Sequence, residues 1–351
     1  MSEYSIGFYG DFTTGENYQT KYDRNARINI LRQKGYDVLF ENVEIFLNKF
    51  DFNIVNLETP LTNVTTSSIA EKKRILHWAD KVIVPQLLKK YKISAVSLGN
   101  NHILDYDLQG LLDTQEVLKG AGIAFFGAGV NLDRASMPFI KRISLYEKNV
   151  NLYVIGGYKY HKDYDTEYDF YAKETKCGAF LLTPETAENL IKTIKENDKD
   201  SKVIMFPHFG YDLRKNTSLQ IEYAHQFIDY GADFVIGHGP HHMNSIEIYN
   251  GKPILYGIGN FIFPANFSAK TEPYNMVAEL KFSEIDNQIR SKINIYPIYM
   301  DNHSCNPITR LLRKDELERF IELLTEYDNS VKDNIIIDSS SDLIKIEFNY
   351  E

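Results

Sequence analysis

The sequence predicts an α/β fold whose functional side chains gather at the ends of strands. Short apolar runs, such as Phe234 to Ile236, are cut off by glycine, proline or a polar turn, which is typical of buried strands. Segments of mixed charged and apolar residues with helical spacing separate these runs. Because ligands of open α/β sheets collect just past the carboxyl ends of strands, we expect the chemistry in the turns that follow the apolar runs.

The first two strands each run into a carboxylate. The run from Tyr4 to Gly10 is followed by Asp11, and the run from Phe52 to Leu57 is followed by Glu58. Asp11 after a glycine is also an ordinary turn residue, and the local sequence alone favours that interpretation. The repeat of the pattern at Glu58 favours a second candidate ligand over a solvated loop glutamate.

The third strand, Ile93 to Leu98, leads into an asparagine and a histidine. Asn101 can serve as a neutral oxygen ligand, and His102 as a proton donor or oxyanion stabiliser. Asp105 follows three residues later and has two possible roles. It either holds the second nitrogen of the His102 ring or caps the helix predicted over Leu108 to Lys119, for which Asp107 is another candidate cap.

Two further strands end near histidines. The strand Val203 to Phe206 is expected to stop at Pro207, with His208 beyond its end. The strand Phe234 to Ile236 opens into His238, His241 and His242 around Gly239-Pro240. Neutral imidazole is a common ligand for Zn, Mn, Fe or Ni, although a turn with ordinary hydrogen bonds is the alternative.

The rest of the chain predicts ordinary α/β elements and one long loop. The loop Tyr158 to Lys176, rich in Tyr, Asp and Lys, is a candidate for setting substrate specificity. The other expected elements are helices at Glu41–Phe50, Glu71–Tyr91 (one or two), Pro184–Asn197, Ser218–Tyr230 and Lys314–Tyr327, a hairpin at Met137–Tyr158, and strands at Pro253–Phe263 (with Gly259-Asn260 as its turn), Met276–Phe282, Lys292–Tyr299 and Asn334–Phe348.

Composition fits a large globular protein that handles small or metal-bridged molecules. The 351 residues are 43% hydrophobic, and 24 Tyr and 21 Phe exclude a disordered chain. The formal net charge of −9 comes with no basic block, so we expect neither nucleic acid nor an anionic membrane surface as a partner.

The cysteines indicate which ligands a metal would have, and the amino terminus indicates where in the cell the protein is expected. Cys177 and Cys305 stand outside any metal-type spacing, so we expect buried thiols and a metal with N and O ligands. The sequence has no signal-peptide pattern and no run of ~18 apolar residues that could cross a membrane. These features predict a cytoplasmic protein, and an extracellular or membrane-associated one only if the sequence is truncated.

Together the candidate ligands are enough for two metal ions. They come from five strand ends and mix carboxylate, amide oxygen and imidazole: Asp11, Glu58, Asn101, His208, His238 and His241. Six ligands exceed what one ion usually takes from a protein and suit two ions ~3.5–4 Å apart, the spacing of two-metal hydrolases. The pattern therefore predicts a hydrolase with a dinuclear site.

The same residues resemble an ordered set of family motifs. The motifs are GD at 10–11, NLETPLT at 56–62, GNNHILDY at 99–106, GAGVN at 127–131, HFGYD at 208–212, GADFVIGHGPHH at 231–242 and YGIGNFIF at 256–263. They resemble the CapA family, which is named for poly-γ-glutamate capsule biosynthesis and belongs to the calcineurin-like metallophosphoesterase superfamily. The resemblance spans about residues 4–300. It implies a metallophosphatase-like sandwich of two mixed β-sheets flanked by helices, with residues 1–300 as the family domain and 301–351 as a helix and strand extension packed on it.

Matched residue by residue, the resemblance also implies roles. The six candidate ligands match metal positions, which implies two divalent transition metals (Mn, Zn or Fe), and His102, with Asp105 beside it, matches a catalytic proton donor. The chain departs from the pattern in five places. Thr13 stands where the superfamily has a histidine, Glu58 replaces an aspartate, Gly239 stands where a second histidine is common, His242 replaces an apolar residue, and Asp212 replaces a glutamate.

Three functions follow from the residues and the resemblance. The first is a metal-dependent hydrolase of a phosphoester or related polar bond, with His102 as general acid. The second is a non-catalytic component of a capsule assembly that binds polymer, and the third is a hydrolase or transferase of γ-glutamyl amide bonds. The expected partners are an anionic small-molecule or polymer substrate and proteins of capsule or poly-γ-glutamate synthesis.

Overall fold

The computed structural model describes residues 3–17, 30–264, 272–301, 308–341 and 343–348. The strands are β1 Glu3–Phe12, β2 Phe52–Leu57, β3 Ile93–Ser97, β4 Ala124–Phe126, β5 Ala128–Gly129, β6 Phe139–Ser144, β7 Asn149–Tyr158, β8 Gly178–Ala179, β9 Lys202–His208, β10 Phe234–Ile236, β11 Ile246–Tyr249, β12 Lys252–Leu255, β13 Asn260–Ile262, β14 Tyr274–Ile285, β15 Gln288–Tyr299, β16 Arg310–Leu311, β17 Ile335–Asp338 and β18 Lys345–Phe348. The α-helices are α1 Ile30–Lys34, α2 Glu44–Lys49, α3 Ile83–Lys90, α4 Asp107–Ala121, α5 Leu132–Ser136, α6 Lys162–Thr166, α7 Pro184–Asn197, α8 Ser218–Asp229 and α9 Leu317–Leu324. Short 3₁₀ helices lie at Tyr36–Leu39, Lys314–Glu316 and Asn329–Asn334.

Two mixed sheets carry the fold. The first has the strand order β17-β18-β15-β14-β1-β2-β3-β4, with β13 paired to β1 and β16 to β15, and the second has the order β11-β12-β10-β9-β7-β6. In the first sheet, β1, β2, β3, β4 and β13 run parallel, and in the second β7, β9, β10 and β12 do so. The other pairs are antiparallel, and β5 pairs with β8 in a separate ribbon.

The sheets pack face to face, with helices on the outer faces. Apolar side chains of both sheets fill the space between them, and the rings of Phe8 and Phe206 lie 5.6 Å apart there. The outer face of the first sheet is covered by α1 to α4, and that of the second by α7 and α8, which contribute Ile191 and Phe227 to a separate core. The expected sandwich of two mixed sheets flanked by helices is confirmed.

Several predicted element boundaries were wrong. Pro207 does not stop its strand, because β9 continues through it to His208. Only Ile83–Lys90 of the segment 71–91 is an α-helix, and the part before it has no regular secondary structure. The run 253–263, expected as one strand with a turn at Gly259-Asn260, is two strands in different sheets, and Gly259 between β12 and β13 has φ 74°.

The carboxyl-terminal segment joins the same architecture. Strands β16 and β18 pair with β15, and β17 pairs with β18, so the expected single terminal strand is a hairpin. Phe320 and Leu324 of α9 pack into the core between the sheets. The division of the chain near residue 300 stays a prediction.

Three smaller expectations have different outcomes. The hairpin within 137–158 is confirmed as β6 and β7. Cys177 is only partly buried, and Cys305 lies outside the described residues. Across the part of the chain that the structure describes, no helix has both the length and the apolarity to span a bilayer.

Candidate metal centre

The candidate site lies where strand ends of the two sheets meet. In the first sheet, Asp11 of β1 is in register with Asn56 of β2 and with Asn260 of β13. In the second sheet, His208 at the end of β9 forms a parallel bridge with His238, two residues past β10. Because both sheets present these ends to one region, side chains more than 200 residues apart in sequence come into contact.

Asp11 is at the centre of the cluster. Its Oδ1 lies 3.2 Å from Nδ1 of His238 and 3.7 Å from Nδ1 of His208. Its Oδ2 lies 3.5 Å from Nδ1 of His241 and accepts a hydrogen bond of 3.1 Å from the backbone N–H of Gly239. The two carboxylate oxygens of Asp11 therefore face different histidines.

Glu58 faces the same cluster from the end of β2. Its Oε1 lies 3.8 Å from Nε2 of His241, 3.9 Å from Nε2 of His208 and 3.8 Å from Nε2 of His102. Two sets of side chains each bring their ligand atoms within 4.8 Å of one another. They are Asp11, His208 and His238, and Asp11, Glu58 and His241.

Several buried polar atoms of the cluster have no hydrogen-bond partner among the described residues. These atoms are both carboxylate oxygens of Glu58, Nε2 of His238 and the side-chain oxygen of Asn101. A buried carboxylate without partners is costly unless a charge compensates it. The donor set of imidazole, carboxylate and amide oxygen therefore fits divalent transition-metal ions.

Electrostatics give the two carboxylates opposite behaviour. Burial raises the pKa of Asp11, but the hydrogen bond with His238 and the charges of the three histidines outweigh it, so its pKa is lowered. Burial, and then the negative charges of Asp11 and Asp212, raise the pKa of Glu58 well above its usual value. A cation beside Glu58 would remove this penalty.

Backbone geometry brings the histidine loop close to the site. Gly239 has φ 110°, and a Cβ there would lie 3.1 Å from Nε2 of His208. The positive φ and the close approach both favour glycine at this position. His241 has φ 63°, an uncommon backbone conformation for a residue other than glycine, and its Nδ1 lies 3.0 Å from Oδ1 of Asn260.

His102 lies beside the ligand cluster in a buried network. Its Nδ1 lies 2.6 Å from Oδ2 of Asp105, and its ring stacks on that of His77 with centroids 3.5 Å apart. Asp105 also forms an ion pair with Lys73 and accepts a hydrogen bond of 2.6 Å from the backbone N–H of His77. Of its two expected roles, Asp105 therefore has the contact with the imidazole. Asp107, the other candidate cap, is the first residue of α4; its carboxylate accepts a hydrogen bond from the backbone N–H of Ser68 and does not cap the helix.

A cavity of about 330 Å³ opens onto the cluster. Its wall includes Asn101 and His208, the loop residues Lys159 and Tyr164, and Tyr211 and Asp212. The segment 158–176 is not a simple surface loop, since it contains α6 and buries Phe170 and Tyr171. Part of it nevertheless reaches the cavity, as its proposed role in specificity requires.

The structure brings most of the predicted site residues together. Asp11, Glu58, His208, His238 and His241 share one cluster, His102 and Asp105 lie next to it, and Asn101 lines the same cavity as His208. His242 points elsewhere, because its Nδ1 lies 2.7 Å from the backbone oxygen of Met243 and the residue lines a different cavity. Thr13 is buried, and its hydroxyl accepts a bond from the backbone N–H of Gly15.

Sequence reasoning missed four polar residues around the site. Asn56 donates to Oδ1 of Asp11 at 2.9 Å, and Asn100 donates to the side-chain oxygen of Asn56 at 3.1 Å. The strand pattern placed both at strand ends, so their position was a usable signal. Lys73 and His77 come from a segment without regular structure, where no local signal predicts the contact with Asp105.

Comparison with known proteins gives consistent similarities. The family model described as "Bacterial capsule synthesis protein PGA_cap" matches residues 5–265. The chain is 29% identical over 320 residues to the "PGA biosynthesis protein CapA" of Bacillus subtilis, which covers 89% of this chain and 78% of that protein. It is 32% identical over 218 residues to a "Probable polyglutamine synthesis accessory protein" of Mycobacterium tuberculosis, covering 60% of this chain and just over half (55%) of that protein.

A solved structure is also similar, at lower identity. The calcineurin-like phosphoesterase YfkN of Bacillus subtilis matches with a TM-score of 0.46 and 16% identity, covering 87% of this chain and 91% of that chain.

Proposed function

The chain belongs to the family of bacterial capsule synthesis proteins PGA_cap, the CapA family, and from this premise we propose that it is a metal-dependent hydrolase of an anionic substrate. The bond attacked would be a phosphoester or a related polar bond. The names of the similar proteins support a substrate and partners from capsule or poly-γ-glutamate synthesis.

One observation carries the proposal. Both oxygens of the buried Glu58 carboxylate lack partners within the described part of the chain, while three histidine nitrogens lie 3.8–3.9 Å from Oε1. A purely structural glutamate at full burial would be hydrogen-bonded or paired with a cationic side chain. The arrangement supports a site built for cations that the protein binds from solution.

The residues divide into two sets that share one carboxylate. Asp11, with His208 and His238, would hold one divalent ion, and Asp11, with Glu58 and His241, would hold the other. Asn101, with its unpartnered side-chain oxygen, is a further candidate ligand. Two bound ions would activate water and polarise the bond under attack.

His102 is the candidate proton donor for the leaving group. Asp105 anchors Nδ1 of its ring, so Nε2 faces the cluster, 3.8 Å from Oε1 of Glu58. Burial, and then the charge of Lys73, lower the pKa of His102, so the free ring favours the neutral form. An anionic substrate beside the ring would offset the charge of Lys73 and favour a proton on Nε2.

The test starts from protein purified without a chelator or added metal. We expect elemental analysis to find Mn, Zn or Fe, and the protein to hydrolyse an aryl phosphate monoester or diester. Chelation and the double substitution His208→Ala/His238→Ala should both abolish the activity. His225→Ala is the matched control, because His225 pairs with Glu247 outside the site.

The outcome separates the three candidate functions. Full activity after chelation, or in the double variant, contradicts the proposal. Binding of poly-γ-glutamate without cleavage of any ester supports the non-catalytic, polymer-binding function instead. Release of glutamate from that polymer by the metal-loaded protein, with no ester cleavage, supports action on γ-glutamyl amide bonds.

A further inference from the structure

Lys159 is a buried lysine next to the candidate metal centre. It follows Tyr158, the last residue of β7, which is in register with His208 of β9. Its backbone N–H donates to the backbone oxygen of His208 at 3.1 Å, and its own backbone oxygen accepts a bond of 2.6 Å from the hydroxyl of Tyr171. These bonds fix the start of the Lys159 side chain at the wall of the cavity.

The ammonium of Lys159 is buried outside any ion pair of the described residues, although the negative charge of Asp212 on the same wall acts on it. The residue is only 4% exposed, yet no carboxylate among the residues described forms an ion pair with it. Its Nζ lies 3.4 Å from the centroid of the Tyr211 ring, which stabilises the cation but does not neutralise it. Burying a cation outside an ion pair is costly, so packing alone does not explain a lysine at this position.

Lys73 provides the contrast within the same site. Lys73 is about as buried, and it forms an ion pair with Asp105 and a hydrogen bond with the backbone oxygen of Asn101. Lys73 therefore has the contacts of a structural lysine. Lys159 lacks such contacts and faces a cavity that a ligand can enter.

The surroundings of Lys159 suit an anion. The guanidinium of Arg214 lies 5.7 Å from the Tyr211 centroid, so two cations border this ring. His161 lines the same cavity, and its Nδ1 is buried with no hydrogen-bond partner in the described ranges. Among the described residues of the cavity wall, Asp212 is the one acidic residue, and its charge acts on Lys159 from a distance too long for an ion pair.

We propose that Lys159 is the anion-recognition residue of this cavity, and that its ammonium binds a carboxylate or phosphate of the substrate beside the candidate metal centre. The inference rests on the proposed function, because it takes this cavity to be the substrate-binding site. It adds that the substrate carries a negative group next to the bond that is cleaved, and that Lys159 selects for it.

Calorimetric titration of the full, metal-containing protein with glutarate and with inorganic phosphate tests the inference. Lys159→Met should weaken binding of at least one anion about tenfold or more, since hydrogen bonds to charged groups contribute this much. Lys159→Arg should retain the affinity, and Lys162→Met, which removes an exposed lysine of the same segment, should change nothing. The anion that is affected more identifies the group as carboxylate or phosphate.

Metal content is measured on every variant. Equal affinities of the wild type and Lys159→Met for both anions overturn the inference. If Lys159→Met loses metal, the anion affinity of Lys159→Arg is used instead. An affinity of Lys159→Arg equal to that of the wild type supports the inference, and a weaker affinity at full metal content contradicts it. Because calorimetry needs no turnover, Lys159-dependent binding in a protein that cleaves nothing would leave this inference standing and remove the hydrolase proposal.

Discussion

Oδ2 of Asp105 lies 2.6 Å from Nδ1 of His102, and this contact leaves Nε2 as the nitrogen that faces the ligand cluster. In the proposed function, the side chain of Asp105 would fix which nitrogen of the ring faces a substrate. It acts through His102 and is a positioning residue in the proposed reaction.

Asp105→Asn should lower kcat about 10- to 100-fold, the usual cost of losing a partner that orients a functional histidine. The amide no longer fixes the orientation and charge of the ring, while metal content should stay unchanged. Steady-state kinetics with an aryl phosphate and elemental analysis check both points. A variant with wild-type kcat would contradict the positioning role, and Asp107→Asn, at the start of α4, is the control.

Lys73→Met should destabilise the protein, because it leaves Asp105 buried without its cation. Breaking a buried ion pair by removing one partner costs about 3–5 kcal/mol. Urea unfolding measures the change in the free energy of unfolding, and Lys73→Arg should recover part of it. Lys72→Met removes an exposed neighbour and should cost less than about 0.5 kcal/mol. Equal stability of Lys73→Met and the wild type would show that the pair contributes nothing.

The apolar runs of the sequence could predict those site residues that lie at the ends of strands. Asp11, Glu58, His208 and His238 each terminate or follow an apolar run, and strand ends of one sheet edge lie together by construction. The meeting of two sheets at this edge was implied only by the family motifs. The individual roles of these residues stay predictions.

The remaining features depend on tertiary packing. Lys73 and His77 reach Asp105 from a segment whose local sequence predicts a helix but whose structure is irregular. The turn at Gly259-Asn260 was predicted from the sequence, but the passage of the chain from one sheet into the other at this turn was not. A Cβ at Gly259 would lie 1.9 Å from Oδ1 of Asn275, so this crossing requires a glycine. Neither the contacts of Lys73 and His77 nor the change of sheet follows from the hydrophobic periodicity of the sequence.

A charge cluster far from the site gives a prediction about pH. Asp233 lies near three lysines, Lys195, Lys202 and Lys252, and accepts a hydrogen bond of 2.9 Å from the backbone N–H of Val203. Burial raises the pKa of Asp233, but the lysines outweigh it, so its pKa is lowered in the folded state. The ionised carboxylate therefore stabilises the fold above the unfolded pKa of about 3.9, and this contribution is lost as pH falls through the folded pKa.

Asp233→Asn should lower the free energy of unfolding by about 2 kcal/mol at pH 7, the scale of hydrogen bonds to charged groups. The difference from the wild type should shrink as the pH falls below about 4. Chemical denaturation across this pH range measures it, with the exposed Asp200→Asn as the control. A difference that grows at low pH would contradict the assignment of the lowered pKa.

Glu58→Gln should have opposite effects with and without metal. In chelated protein the substitution removes a buried carboxylate that lacks partners within the described residues, so the variant should be up to about 2 kcal/mol more stable than the wild type. In metal-loaded protein the substitution removes an anionic ligand, so metal affinity should fall about tenfold or more. Losing a residue that only orients a metal ligand already costs about this much. Thermal unfolding in chelator and in excess Mn or Zn measures both effects, with the exposed Glu71→Gln as control. Destabilisation of equal size under both conditions would mean that Glu58 is structural, because a residue retained for cation binding stabilises the fold only when the cation is bound.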